Sequence, residues 1–202
     1  MRYKVVGPPG TGKTRRLLNE VQKYVKKGIK LNRIGYFASY ETNHWNGIFS
    51  SDSEYLGLIN LARVKQISPV EQFDLNEHLS KIERDKLEAI EAEIKNYKKV
   101  YGLIDFTDMI QKFLDKEVTP NFDVIFIDEA QDLSLIQWSM INKIEKDTGC
   151  DVWVAGDDDQ AIFGWAGADV DSFISYDAKE IPLTKSERVP SSIQEIALNV
   201  IN

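Results

Sequence analysis

Short apolar runs and amphipathic stretches alternate along this chain. Five runs have strand character, namely Tyr3–Val6, Arg33–Phe37, Phe122–Ile127, Asp151–Ala155 and Glu180–Leu183. Several are continuous rather than alternating, as in Val124-Ile125-Phe126-Ile127. A strand that alternates buries one face, whereas a continuous run buries both, as in a parallel sheet covered by helices. Helical patterns separate the runs. Residues 14–27 place Leu17, Leu18, Val21 and Val25 on one stripe, and residues 133–146 do the same with Leu133, Ile136, Ile141 and Ile144. From Ser191 onward, Ile193, Ile196, Ala197 and Val200 recur at helical spacing. Alternation of this kind predicts an α/β domain with a parallel sheet.

The stretch from about 41 to 120 breaks the rhythm. It predicts a long charged helix over residues 75–101, with Leu75, Leu79, Ile82, Leu87, Ile90, Ile94, Tyr97 and Tyr101 as its apolar stripe. The heptad register is not sustained, so a helical insertion packed on one face is favoured over a coiled coil. No internal repeat and no Pro/Gly/Ser-rich linker interrupts the chain. The expectation is one domain over residues 1–202 carrying a helical insertion.

Composition agrees with that expectation. The chain has 202 residues, 43% hydrophobic and 28% charged, close to the average for globular proteins. A single cysteine, Cys150, excludes an internal disulfide framework. No apolar run approaches the roughly 18 residues that span a bilayer, and the first strand begins at once, so a protein with no membrane partner and an intracellular (cytoplasmic) location is expected. The net charge of −7 hides an asymmetry: residues 1–30 carry nine Lys/Arg against one Glu, and residues 151–180 eight Asp/Glu against one Lys. Partners feel such local fields more than the total, so the acidity does not exclude nucleic acid.

Gly7-Pro8-Pro9-Gly10-Thr11-Gly12-Lys13-Thr14 fits the phosphate-loop pattern G-x-x-x-x-G-K-[ST], with a strand before it and an amphipathic helix after it. The glycines let successive backbone N–H groups face a phosphate, and the helix N-terminus adds partial positive charge. Lys13 is expected to reach the β- and γ-phosphates of ATP or GTP, and the Thr14 hydroxyl to bind Mg²⁺. The competing reading, a Gly-rich turn that only caps a helix, fits this context poorly. Downstream, an apolar run ends in Asp128-Glu129. Acids at the carboxyl end of a parallel strand lie where ligands bind. Asp128 suits the Mg²⁺-holding role, and Glu129 suits polarisation of an attacking water, which points to hydrolysis. The alternative, in which both acids merely cap the following helix, is the weaker one.

Two longer blocks narrow the picture. Asp128-Glu129-Ala130-Gln131-Asp132, and Gly156 to Asp169 (Gly-Asp-Asp-Asp-Gln-Ala-Ile-Phe-Gly-Trp-Ala-Gly-Ala-Asp), resemble motifs II and III of UvrD/Rep-type superfamily 1 DNA helicases, and residues 7–14 resemble their motif I. Asp105-Phe106-Thr107-Asp108-Met109-Ile110 looks like the acidic-aromatic segment that precedes motif II in that family, and Leu183 to Arg188 sits where motif IV is expected. The resemblance implies a RecA-like ATP-binding motor domain acting on single-stranded DNA. It implies that Gln160 senses the γ-phosphate, that Arg188 stabilises charge there, that Arg15 lies near the nucleotide and that Phe163 and Trp165 line the DNA path. Aromatic rings suit that last role, since every base has a π-face to stack on. One residue and one segment depart from the family: Ala166 follows the motif III tryptophan where arginine is frequent, and Phe37 to Asn43 match motif Ia poorly, with His44, Trp45 and Phe49 nearby.

The resemblance also implies a second RecA-like domain carrying later motifs, and translocation from 3′ to 5′. The expectation is therefore the N-terminal motor domain of a longer helicase, with weak nucleotide binding and little turnover by itself. Three competing readings are a ring-forming AAA+ ATPase, a small-molecule kinase, and a non-catalytic nucleotide- or DNA-binding module. The Asp-Glu-Ala-Gln-Asp and Gly-Asp-Asp-Asp-Gln blocks argue against the first and Glu129 against the second.

Overall fold

All five expected strands form. β1 (Arg2–Val6), β2 (Ile34–Ala38), β3 (Val124–Asp128), β4 (Asp151–Gly156) and β5 (Lys179–Pro182) build one sheet in the order β2-β3-β4-β1-β5. The structure is a computed structural model that describes residues 1–38, 54–76, 82–193 and 195–196. Every strand pair is parallel, with Val5 opposite Ala155 and Ile181, and Ile127 opposite Val154 and Phe37. The helices in chain order are α1 (Lys13–Lys26), α2 (Glu54–Val64), α3 (Pro69–Asp74), α4 (Leu87–Tyr101), α5 (Phe106–Leu114), α6 (Leu135–Thr148) and α7 (Val170–Ile174). The chain separates into two compact units. One comprises Met1–Tyr40, Val118–Leu133 and Ile141–Asn202, the other Glu41–Glu117 and Ser134–Met140.

The first unit holds the α/β sheet. β3 is buried along its whole length, as its unbroken apolar run requires. Val5, Leu17, Val124, Phe126, Trp153 and Ala155 form the core here, with Tyr3, Val21, Tyr24 and Ile181 packed around them. Tyr3 stacks on Trp153 at 4.2 Å between ring centroids, and Tyr24 meets Phe126 edge-on at 6.0 Å. The inward stripe of α1 is narrower than its sequence pattern suggests. Leu17, Val21 and Tyr24 face the sheet, while Leu18 and Val25 are 47% and 41% exposed. Tyr24 takes a position that a count of aliphatic residues overlooks, and its hydroxyl donates to Asp151 at 2.5 Å. Because the strands run parallel, their carboxyl ends share one edge, where the loops after Val6, Asp128, Gly156 and Pro182 all emerge. At the chain's far end, Ser191–Ile193 make a helical turn, whereas Ala197 and Val200 lie outside the described residues, as do Glu41 to Phe49.

The second unit is helical, with Leu58, Ile59, Ile82 and Leu87 buried together and Tyr55, Val70, Phe73, Ile90 and Ile94 against them. The single helix expected over 75–101 does not form. α3 starts at a capping box, in which the Ser68 hydroxyl and the Glu71 carboxylate each accept the other's backbone N–H, and it stops at Asp74. Among the described residues, 75–76 and 82–83 are not helical, Arg84–Lys86 make a tight turn, and the next α-helix begins at Leu87; residues 77–81 lie outside the described residues. On either side of that gap Arg84 grips Asp74 through two hydrogen bonds of 3.0 and 2.9 Å, and the Tyr55 hydroxyl accepts the Glu83 N–H. The expected stripe divides accordingly. Ile82, Leu87, Ile90 and Ile94 join the core, Leu75, Tyr97 and Tyr101 are exposed, and Leu79 is outside the described residues.

α5 opens on a second capping box, made by Asp105 and Asp108. Arg63 and Lys98 each donate to both acids, so one four-charge cluster joins α2, α4 and the start of α5. Partial burial works against ionisation of Asp105. Hydrogen bonds from Arg63, Lys98 and the Asp108 backbone outweigh it and hold the carboxyl well below the usual aspartate range. A depressed folded-state pKa gives stability that is present above the unfolded value, near 3.9, and lost as pH falls below it. Melting temperature is therefore expected to drop as pH is lowered below about 4, with Asp105→Asn flattening that drop. In the sheet, Phe126→Ala is expected to cost about 3–5 kcal/mol in urea unfolding.

Candidate nucleotide site

The loop after β1 is shaped by glycine. Gly10 has φ +75°, in the left-handed region, and a Cβ there would lie 2.4 Å from Arg188 Cβ and 2.7 Å from Ser186 Oγ. α1 then starts with no side-chain cap and no acid in its first turn. Its leading N–H groups and the positive end of its dipole are thus available to an anion. Thr14 and Arg15 are exposed at this start, and Arg15 lies 3.4 Å from Glu187.

Lys13 is folded back into its own loop. Only 8% exposed, its Nζ donates to the Gly7 carbonyl at 2.7 Å and the Pro8 carbonyl at 3.4 Å, with the Asp157 carboxylate at 3.7 Å. A buried ammonium needs compensating partners, and a bound phosphate would supply them in place of the two carbonyls. The segment after β5 is fastened to the same loop. Leu183 N–H donates to Val6, Glu187 N–H to Gly10 and Ser186 Oγ to Pro9, at 2.7, 2.7 and 2.8 Å. This seats Arg188 directly over Gly10.

At the end of β3, Asp128 is 5% exposed. Its Oδ2 accepts the Tyr36 hydroxyl at 2.9 Å, and its Oδ1 accepts the Glu129 N–H at 3.2 Å. Glu129 has φ +52°, in the left-handed region without being glycine, a conformation that costs about 1–3 kcal/mol and concentrates at functional sites. The turn Ala130–Asp132 follows, with Gln131 buried in it. β4 lies between β3 and β1 and ends at Gly156. Asp157 is 4% exposed and accepts Gln160 Nε2 on the same oxygen that faces Lys13. Burial, then the neighbouring Asp157 and Asp158 charges, push Asp159 above the usual aspartate value. Further along this loop, Trp165 is 63% exposed and Phe163 half-buried, with ring centroids 6.5 Å apart. Trp165 is thus no core residue.

A chain of contacts therefore joins Gly7, Pro8, Pro9, Gly10, Lys13, Asp157, Gln160 and Arg188, while Thr11 closes the loop internally by donating to Pro8 at 2.9 Å. Glu129 is tied in through Gln131. Tyr36 on β2 carries no predictive pattern, whereas Gln131 and Asp157 lie inside the two motif blocks without a role that the sequence alone assigns. Tyr36 lies two positions from the residue paired with Asp128, which only the register reveals. Among the described residues no group of three or more His, Cys, Asp or Glu gathers to hold a metal. Mg²⁺ beside a nucleotide needs only one or two protein oxygens, and the Thr14 hydroxyl and Asp128 carboxylate are of the right kind.

The parallel sheet, the glycine loop opening a helix and the acid-tipped strand one place removed from it define a P-loop α/β domain. The sequence profile of the UvrD/REP helicase N-terminal domain matches residues 39–180, well over half of the chain, and the chain belongs to that family. Among curated proteins it is similar to DNA helicase II of Escherichia coli (strain K12), 34% identical over 110 residues, covering 48% of this chain and 15% of that protein. The ATP-dependent DNA helicase PcrA of Staphylococcus epidermidis is 31% identical over 112 residues, again 48% and 15% of the two chains. A probable DNA helicase II homolog of Rickettsia conorii is 37% identical over 86 residues, 39% and 13% of the two. The matches thus span about 15% of the length of the larger relatives. Among the described residues no helix is long and apolar enough to cross a membrane.

The crowding at Gly10 makes a direct test possible. Gly10→Ala is expected to displace Arg188 and weaken binding of a fluorescent ATP analogue by tenfold or more, about 1.4 kcal/mol, in an equilibrium titration.

Proposed function

We propose that this chain is the ATP-binding motor domain of a DNA helicase or translocase, which hydrolyses ATP in step with its grip on single-stranded DNA. The observation that carries the reading is the junction at Asp157. One buried carboxylate faces the phosphate-loop lysine and accepts from Gln160, so a group that contacts phosphate and the loop that bears Phe163 and Trp165 share a partner. The similarity to DNA helicase II and PcrA supports the same reading.

In this reading Gly7, Pro8, Pro9, Gly10, Thr11 and Gly12 cradle the phosphates, Lys13 reaches the β- and γ-phosphates, and Arg15 lies by the nucleotide. Mg²⁺, held by Thr14 and Asp128, would neutralise phosphate charge. Glu129 accepts a proton from water as its oxygen bonds to the γ-phosphorus and the bond to the ADP oxygen breaks. Arg188 stabilises the charge developing on the transferred group, Gln160 senses the γ-phosphate, and Phe163 and Trp165 stack on bases. A second RecA-like domain completes the site and supplies the second grip that movement needs, so the 202-residue chain alone has little turnover.

The test uses the protein together with its second motor domain. Glu129→Gln is expected to cut DNA-stimulated phosphate release by at least 100-fold while sparing ATP binding. Trp165→Ala is expected to weaken single-stranded DNA binding by about 1–3 kcal/mol, read by fluorescence anisotropy. Unchanged phosphate release in Glu129→Gln would return the chain to the non-catalytic reading. Robust DNA-stimulated turnover by the 202-residue chain alone would remove the need for a second domain.

A further inference from the structure

Gln131 is 2% exposed, and its carboxamide is used on both sides. Nε2 donates to Glu129 Oε2 at 3.1 Å and to Asp132 Oδ2 at 3.2 Å, while Oε1 accepts the Asp157 N–H at 3.1 Å. A primary amide alone offers two donors and an acceptor in this arrangement. A carboxylate of the same shape would keep the acceptor but face two like charges, and a thioether would leave the Asp157 N–H unpaired. The space for the amide comes from Gly156. A Cβ there would sit 2.7 Å from Gln131 Oε1 and 2.8 Å from Phe173 Cζ. The last residue of β4 is thus a glycine where Gln131 and Phe173 close over the backbone.

The two ends of this bridge differ in kind. One is Glu129, held in a strained left-handed conformation. The other is the first backbone N–H of the loop whose Asp157 carboxylate faces Lys13 and whose Gln160 leans on that carboxylate. Lys13 must leave the Gly7 and Pro8 carbonyls to meet a phosphate, and Asp157 loses or changes its ammonium partner when it does. Any shift of the Asp157 backbone then passes through one rigid amide to the carboxylate of Glu129.

We infer that Gln131 is a positioning residue: it sets the aim of the Glu129 carboxylate according to the place of the loop that begins at Asp157, gearing water activation to phosphate sensing. The inference rests on the motor reading above and adds a regulatory part to the same site. Gln131 need touch neither nucleotide nor DNA. It acts through Glu129, so its effect depends on Glu129 being intact.

The experiment is a double-mutant cycle on ATP turnover in the protein with both motor domains. Gln131→Met is expected to lower kcat for DNA-stimulated phosphate release by about tenfold or more, as small misplacements of catalytic groups do. KM for ATP and affinity for a non-hydrolysable ATP analogue should stay within about twofold, since Lys13 and Thr14 are untouched. In the Glu129→Gln background the same substitution should cause no further loss. Gln131→Glu, which keeps the acceptor for Asp157 and removes the donors to Glu129, should lose kcat in the same way. Equal losses with and without Glu129, an unchanged kcat, or joint loss of analogue binding and melting temperature in both variants would each overturn the inference and leave a structural role. A parent protein with no ATP turnover would instead remove the motor reading itself.

Discussion

The constraint on which this site depends is the burial of one ammonium group. Lys13 sits inside its own loop, where two carbonyls and the Asp157 carboxylate are its partners. A charge held out of water is stabilised only by well-placed polar groups, and each of these is supplied by a different piece of the fold. The carbonyls come from a loop bent by Gly10, the carboxylate from the end of β4, and the clamp from the segment after β5. The parallel sheet delivers all of them to one edge. Had β4 or β5 run the other way, its loop would emerge at the opposite edge, and Lys13 would lose its carboxylate or its roof.

Much of this was legible in the sequence, for physical reasons. Five buried strands announce themselves because burial on both faces demands unbroken apolar runs such as Val124–Ile127, and the phosphate loop because its glycines have no substitutes. The helical unit was harder to read. A stripe from Leu75 to Tyr101 looks continuous, but the flanks of the break carry hydrogen bonds from Arg84 to Asp74 and from Glu83 to Tyr55, contacts invisible to periodicity. Leu18 looks inward because hydropathy ranks it above Tyr24, whereas Tyr24 has both a ring to pack and a hydroxyl to reach Asp151.

Within the site, the residues with motif positions were visible and their supports were not. Asp128 and Glu129 stand out at the end of an apolar run, yet the Tyr36 hydroxyl that holds Asp128 comes from another strand, fixed by a register no local pattern encodes. Gln131 lies inside the acidic block and would pass for a solvent-facing polar residue. Its burial follows from Gly156, which leaves room beside it. In each case the supporting contact spans tens of residues of sequence.

The placement of β4 between β1 and β3 sets a length scale. Neighbouring strands lie about 4.8 Å apart, so the strand carrying the phosphate loop and the strand carrying Asp128 are separated by about 9–10 Å. The strand between them ends beside Asp157, which lies 3.7 Å from Lys13, while Asp128 stands one strand further off. One intervening strand therefore spaces the Lys13 loop and Asp128 by about two strand separations. The order of strands thus acts as a gauge, fixing how far apart the glycine loop and the acid at the end of β3 stand before any side chain is placed.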